Sequence, residues 1–135
     1  MNQQTGNSTQ SNKPLKGTQM AGFTPVSSVS ELQKIDQQVG TGKEAKAGDT
    51  VTVDYTGAVA ATGTIFESSL DTGQPANFPL SGVIKGWQEG IPGMKEGGKR
   101  RLIIPADLAY GASGNGTIPP NAALVFDVTL ISVGQ

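Results

Sequence analysis

Apolar and polar positions alternate most cleanly over Thr50 to Thr56, where Val51, Val53 and Tyr55 share one face and Thr52, Asp54 and Thr56 the other. Ala123 to Val133 repeats the pattern, with Leu124, Phe126, Val128 and Leu130 opposed by Asp127 and Thr129. Both read as half-buried strands. Gly98 to Pro105 predicts a third, in which the cluster Lys99-Arg100-Arg101 gives way to Leu102, Ile103 and Ile104. Between these, Val83, Ile84, Trp87 and Ile91 suit one side of a short helix within Val83 to Met94, ended by Pro92-Gly93. Gly40, Gly42, Gly48, Gly57, Gly63 and Gly73 separate short segments in the manner of an antiparallel sheet. One short helix against such a sheet predicts an α+β domain. Gly111 to Pro120 is rich in breakers and poor in apolar residues, and so predicts a long surface loop suited to binding determinants.

The pattern is missing before about residue 29. Met1 to Ser28 is dominated by Asn, Gln, Ser, Thr, Gly and Lys, with Phe23 and Val26 almost its only large apolar residues. Such a stretch buries too little to offset its conformational entropy, so residues 1–28 are expected to be a flexible tail or linker and residues 29–135 the folded domain. Read from Met1 as a native start, the chain is cytoplasmic. The same tail would equally serve as the spacer of an exported or membrane-tethered protein whose N-terminal segment has been removed. Asn7-Ser8-Thr9 and Asn115-Gly116-Thr117 match the glycosylation sequon, a triplet common by chance.

Composition narrows the chemistry. A net charge of −1 removes the electrostatic footprint of a general nucleic-acid binder, and Lys99 to Arg101 reads as a solvated strand edge. No apolar run is long enough to span a bilayer, so no membrane contact by the folded domain is expected. With no cysteine and no histidine, thiol nucleophiles, thiolate or imidazole metal sites and Ser-His-Asp hydrolysis are excluded. No metal and no cofactor is expected. Gly93 to Lys99 has the glycines and lysine of a phosphate-binding loop, but Arg100 stands where Ser/Thr is required and a strand follows instead of a helix. Ser113 lies in a glycine-rich loop without a base, and Glu31, Asp36, Glu44 and Asp71 form no acid/base pair, so all are read as surface residues. The rings of Tyr55, Phe66, Trp87, Tyr110 and Phe126 fall beside turns or on inward strand faces, a pattern that by itself favours core packing over a binding surface.

Several blocks alter that weighting. Asp54-Tyr55-Thr56-Gly57, Phe66-Glu67-Ser68-Ser69, Val83 to Gly90, Ala109-Tyr110-Gly111-Ala112 and Ile118 to Val128, in this order and spacing, closely resemble the FKBP-type peptidyl-prolyl isomerases from about Leu32 to Val133. The resemblance implies a curved antiparallel sheet wrapped around one short helix, with an apolar pocket between them. It implies Trp87 as the floor beneath a substrate proline, with Tyr55, Phe66, Val83, Ile84 and Phe126 as walls. Tyr110 would offer its hydroxyl, the Ile84 backbone N–H would donate to the bound peptide, and Ile118 would close the pocket from the long loop. The implied partners are proline-containing polypeptides and macrolide inhibitors, met by a monomer.

The chain departs from the family pattern at a few positions. Glu67 stands where the family usually has Asp, and its extra methylene is expected to move the carboxylate away from Tyr55. An arginine near Thr72 and an aromatic near Ala76 are missing, which predicts a pocket more open on that side. The turn Ala60 to Gly63 is one residue longer than in many relatives, Leu80-Ser81-Gly82 is shorter than in animal forms, and the short segment Thr72 to Gly82 leaves no room for a chaperone insertion. The expected activity is isomerisation of X-Pro bonds. A non-catalytic module that binds proline peptides is the alternative motivated by the departures, and a structural or adhesive domain without a working pocket is a third.

Overall fold

The computed structural model describes residues 14–134. Six strands, β1 (Gln33–Gln38), β2 (Thr50–Val59), β3 (Ile65–Ser68), β4 (Ala76–Pro79), β5 (Lys99–Ile104) and β6 (Leu124–Val133), form one antiparallel sheet, with one α-helix among the described residues, α1 (Lys85–Gly90). The order is β1-β5-β6-β2-β3, and β4 pairs with the first half of β2, so β3 and β4 share one edge of that long strand. The ladder shifts register at Thr52/Val53, Gly57/Ala58 and Asp36/Gln38. Such irregularities bend a strand and increase its twist, which curves the sheet toward α1.

The strands read from the sequence are present, and the helix is shorter than its apolar spacing suggests. Val83 and Ile84 are extended, with ψ of 174° and 154°, and Ile91 caps the helix by donating its N–H to the Trp87 carbonyl. Gly86 and Gly90 lie one turn apart, and a Cβ at either would come within 2.5 Å and 2.7 Å of Ile104 and Leu102 side-chain atoms. Two bare positions on one helix face therefore let α1 rest directly on β5. β1 carries no such signal: its six residues are all exposed, and it is held by pairing with β5.

The basic cluster differs from its reading as a solvated edge. β5 lies between β1 and β6, and Arg100 is only 9% exposed, its guanidinium on Asp36 (2.6 Å) and on the Gly90 carbonyl (2.8 Å). Arg101 is bidentate on Asp127 (2.6 and 2.8 Å) and lies over the Phe23 ring at 5.6 Å. The planar fork satisfies carboxylates and carbonyls at once, which is what lets charge enter an interior strand.

The expected tail also differs over its described part; residues 1–13, with the sequon at Asn7, lie outside the described residues. Gly17 N–H donates to the Ile65 carbonyl (2.7 Å), Ile65 N–H to Thr18 (2.8 Å) and Met20 N–H to Gly63 (2.8 Å), extending the sheet beyond β3. Leu15, Met20, Phe23 and Val29 close a second apolar cluster with Ala58, Ile65, Ile103 and Val125. A few apolar anchors and backbone pairing suffice because the sheet already supplies the other wall.

Candidate functional site

Four strands and the helix each contribute to one cleft of about 320 Å³ between the sheet and α1. Trp87 of α1 forms its base at 4% exposure, and three rings stand edge-on to the indole: Tyr55 of β2 at 5.4 Å, Phe78 of β4 at 5.4 Å and Phe126 of β6 at 5.3 Å, with interplanar angles of 82°, 87° and 86°. Phe66 of β3 meets Phe126 edge-on at 5.7 Å. Edge-to-face contacts match the positive rim of one ring to the negative face of another and hold each in place. Gly57 permits this packing, since a Cβ there would lie 2.5 Å from Phe126 and 2.8 Å from Phe66.

The polar groups sit around the same cleft. Val83, Ile84, Glu67 and Tyr110 line it with the rings. The Ile84 carbonyl accepts from Trp87 and Gln88 N–H (3.0 and 3.1 Å), whereas its own N–H donates to no acceptor among the described residues. Gln88 Nε2 ties the Val83 carbonyl at 2.7 Å and fixes the approach to the helix. Trp87 Nε1 is buried without an acceptor among the described residues. An unmade hydrogen bond in an apolar site carries a desolvation cost, so the indole is held by its ring contacts. Burial, and then the Glu67 carboxylate beside it, push the Tyr55 phenol well above its ordinary pKa. The extra methylene of Glu67 thus leaves the carboxylate near Tyr55, contrary to the expected displacement.

Tyr55 is positioned from behind by two serines. Ser69 Oγ accepts from Tyr55 N–H (2.9 Å) and donates to Asp54 (2.9 Å), while Ser68 Oγ meets Thr56 Oγ1 at 2.8 Å and donates to the Tyr55 carbonyl at 3.2 Å. Both serines are buried at 5% exposure. Side chains here continue the pairing where β3 turns away from β2, a role that a serine's single hydroxyl can fill with one donor and two lone pairs.

Two positions add to the site as read from the sequence. The side near Ala76 is occupied by a ring, Phe78, which shares the inward face of β4 with Ala76 and pairs with Val51. The alternation Ala76, Phe78, Leu80 was the available signal. Ile118 is 3% exposed and belongs to the core beside the cleft; it lines a neighbouring cavity that shares Phe66, Glu67 and Tyr110. The loop holding it is pinched by mutual backbone bonds between Asn115 and Ile118 (2.9 and 2.6 Å), which turn Ile118 inward and leave the sequon Asn115 exposed.

Comparison with known proteins agrees with this geometry. Residues 41–131 match the family model described as FKBP-type peptidyl-prolyl cis-trans isomerase. An FK506-binding protein of Neisseria meningitidis is 54% identical over 101 residues, 73% of this chain and 92% of that protein. FkpA of Aeromonas hydrophila, an FKBP-type peptidyl-prolyl cis-trans isomerase, is 50% identical over 107 residues, 79% of this chain but only 40% of that protein, so the chain spans less than half of that longer relative. Among solved structures, a peptidyl-prolyl cis-trans isomerase of Pseudomonas syringae superposes with a TM-score of 0.71 at 39% identity, covering 85% of this chain and 87% of that one. With the motifs, the six-stranded sheet and the matched span in agreement, the chain belongs to the FKBP-type peptidyl-prolyl cis-trans isomerase family.

Proposed function

We propose that this chain accelerates cis/trans isomerisation of X-Pro bonds in polypeptides, without a cofactor and without covalent chemistry. The observation that carries the reading is the cleft itself, a box of Tyr55, Phe78, Trp87 and Phe126 rings of a size and polarity suited to a prolyl ring. Uncatalysed isomerisation takes tens to hundreds of seconds over a barrier of about 18 to 20 kcal/mol. A rate near ten per second needs about 4 kcal/mol of it removed. In the twisted transition state the amide loses resonance, its carbonyl carbon–nitrogen bond lengthens and its nitrogen becomes pyramidal. An apolar cleft stabilises this state by withdrawing water from the amide, which selects the less polar form.

The named residues divide this work. Trp87 supports the proline, with Phe66, Val83 and Phe126 excluding water beside it. The unused Ile84 N–H donates to the peptide backbone and holds it in register. Tyr110 lines the cleft, and its hydroxyl serves as a second donor. Tyr55, a phenol already neutral at pH 7 and pushed further from ionisation by burial and then by Glu67, serves as a neutral wall and donor. A macrolide inhibitor would compete for the same apolar box.

The test is the isomerisation rate of a short Xaa-Pro peptide with and without the chain. Tyr110→Phe is expected to lower kcat/KM by roughly tenfold, the worth of one hydrogen bond of about 1.5 kcal/mol. Trp87→Ala is expected to remove most of the acceleration. A folded wild-type chain that binds the peptide but leaves its rate unchanged would establish the alternative, a non-catalytic proline-binding module.

A further inference from the structure

Val83 and Ile84 line the cleft from the link between the turn Leu80–Gly82 and α1, outside any strand or helix. The plane of the peptide group that joins them is set by ψ of Val83 (174°) and φ of Ile84 (−59°), and no ladder of backbone hydrogen bonds holds it. Among the described residues its carbonyl accepts only from Gln88 Nε2 (2.7 Å), and its N–H donates to nothing.

The two ends of that group move together. In a planar trans peptide the C=O and N–H point in opposite directions, so whatever holds the Val83 carbonyl also aims the Ile84 N–H. Gln88 holds it from the first turn of the helix. Its backbone N–H donates to the Ile84 carbonyl (3.1 Å) while its side chain donates to the Val83 carbonyl, so one residue grips the peptide groups on both sides of Ile84. A donor placed on a carbonyl also polarises the amide, which strengthens its N–H as a donor in turn. A carboxylate of the same shape could not do this, because a carbonyl only accepts and an ionised carboxylate has nothing to donate.

We propose that Gln88 is a positioning residue of the proline site, whose carboxamide sets the direction and the strength of the Ile84 N–H that meets the bound peptide. The inference rests on the peptide-binding reading of the cleft. Gln88 acts through the Val83–Ile84 peptide group and not on the substrate itself.

Trp87, the single tryptophan, reports peptide binding directly by its fluorescence. A proline peptide is titrated into the full chain carrying Gln88→Glu, Gln88→Met or Gln88→Arg, and the isomerisation rate is measured on the same samples. Gln88→Glu keeps the shape and loses the donor, Gln88→Met loses the donor without adding a charge, and Gln88→Arg keeps a donor. Binding is expected to weaken about fivefold in the Glu and Met chains, within the range of one hydrogen bond, and to raise KM while leaving kcat nearly unchanged. The Arg chain should recover most of the loss. Because Gln88 is exposed, the thermal midpoints of all three should stay close to that of the wild type. In isotope-labelled chains the Ile84 amide proton should move downfield when peptide binds, and move less in the Met chain. Wild-type affinity in both the Glu and Met chains overturns the proposal. So does a loss that Arg does not restore, or one that follows a fall in midpoint, since Gln88 would then be a structural residue. A wild-type chain that binds no proline peptide overturns the proposal together with the reading of the cleft. Binding that depends on Gln88 without rate acceleration sinks only the isomerase reading, and acceleration indifferent to Gln88 sinks only the positioning role.

Discussion

On the cleft side of the sheet, Leu102, Leu124, Phe126 and Val128 pack with Trp87 and Ile91 into a core that the helix covers. On the opposite side Ile65, Ile103 and Val125, each next in sequence to a cleft-side residue, are covered by Leu15, Met20, Phe23 and Val29 from a largely polar segment. The first face is built from large rings whose mutual contacts fix a cavity between them. On the second the sheet itself offers only aliphatic side chains, and a ring, Phe23, arrives with the covering segment, where Arg101 lies over it. The difference teaches that one sheet can make a site with one face and fasten its own flanking segment with the other, and that these tasks call for different side chains.

The sharpest way to break this contrast is Met20→Ala. If the covering segment is an integral wall, the loss is about 2 to 4 kcal/mol, as for a buried Met to Ala change, read as a lower denaturation midpoint. If the segment is merely laid on the surface, the midpoint will not move. Gly57→Ala acts on the other face. Its methyl would meet the Phe126 and Phe66 rings, so a cost of about 1 to 3 kcal/mol is expected together with a fall in peptide affinity, which Met20→Ala should not produce for a neutral peptide. The smallest effect belongs to Glu96, outside both faces. Its pKa is lowered chiefly by the backbone N–H groups of Val133 and then Lys43, so its folded value lies below its unfolded one. The stability it contributes is therefore present above about pH 4.5 and is lost as pH falls below it, and Glu96→Gln should flatten the acid limb of the stability profile measured by thermal melts.

The legibility of the molecule follows the same division. Strands β2 and β6 were readable because each buries alternate residues on one side, and the aromatic blocks were readable because a ring beside a turn carries a large burial term at a single position. Phe78 was passed over because β4 is short and its alternation is visible only once Leu80 is counted with it. β1 could not be read, since all six of its residues face solvent and its existence depends on β5. The covering segment is the instructive miss: its polar composition argues against folding alone, but that says nothing about a surface waiting elsewhere in the chain. Arg100 and Arg101 were misplaced for the same reason, because the carboxylates that permit their burial, Asp36 and Asp127, come from other strands.

The strand order sets a timetable for folding. The longest pairing in the sheet joins β2 to β6, with Val51 opposite Val133, so the centre of the sheet closes only when nearly the last residues of the domain are free to reach it. As the chain leaves a ribosome, β2 must wait with one edge unpaired, because the short strands β3 and β4 satisfy only the other. Sequence separation of this kind slows folding and prolongs exposure to aggregation. A chain assigned here to ease a slow step in the folding of others has a topology that delays its own.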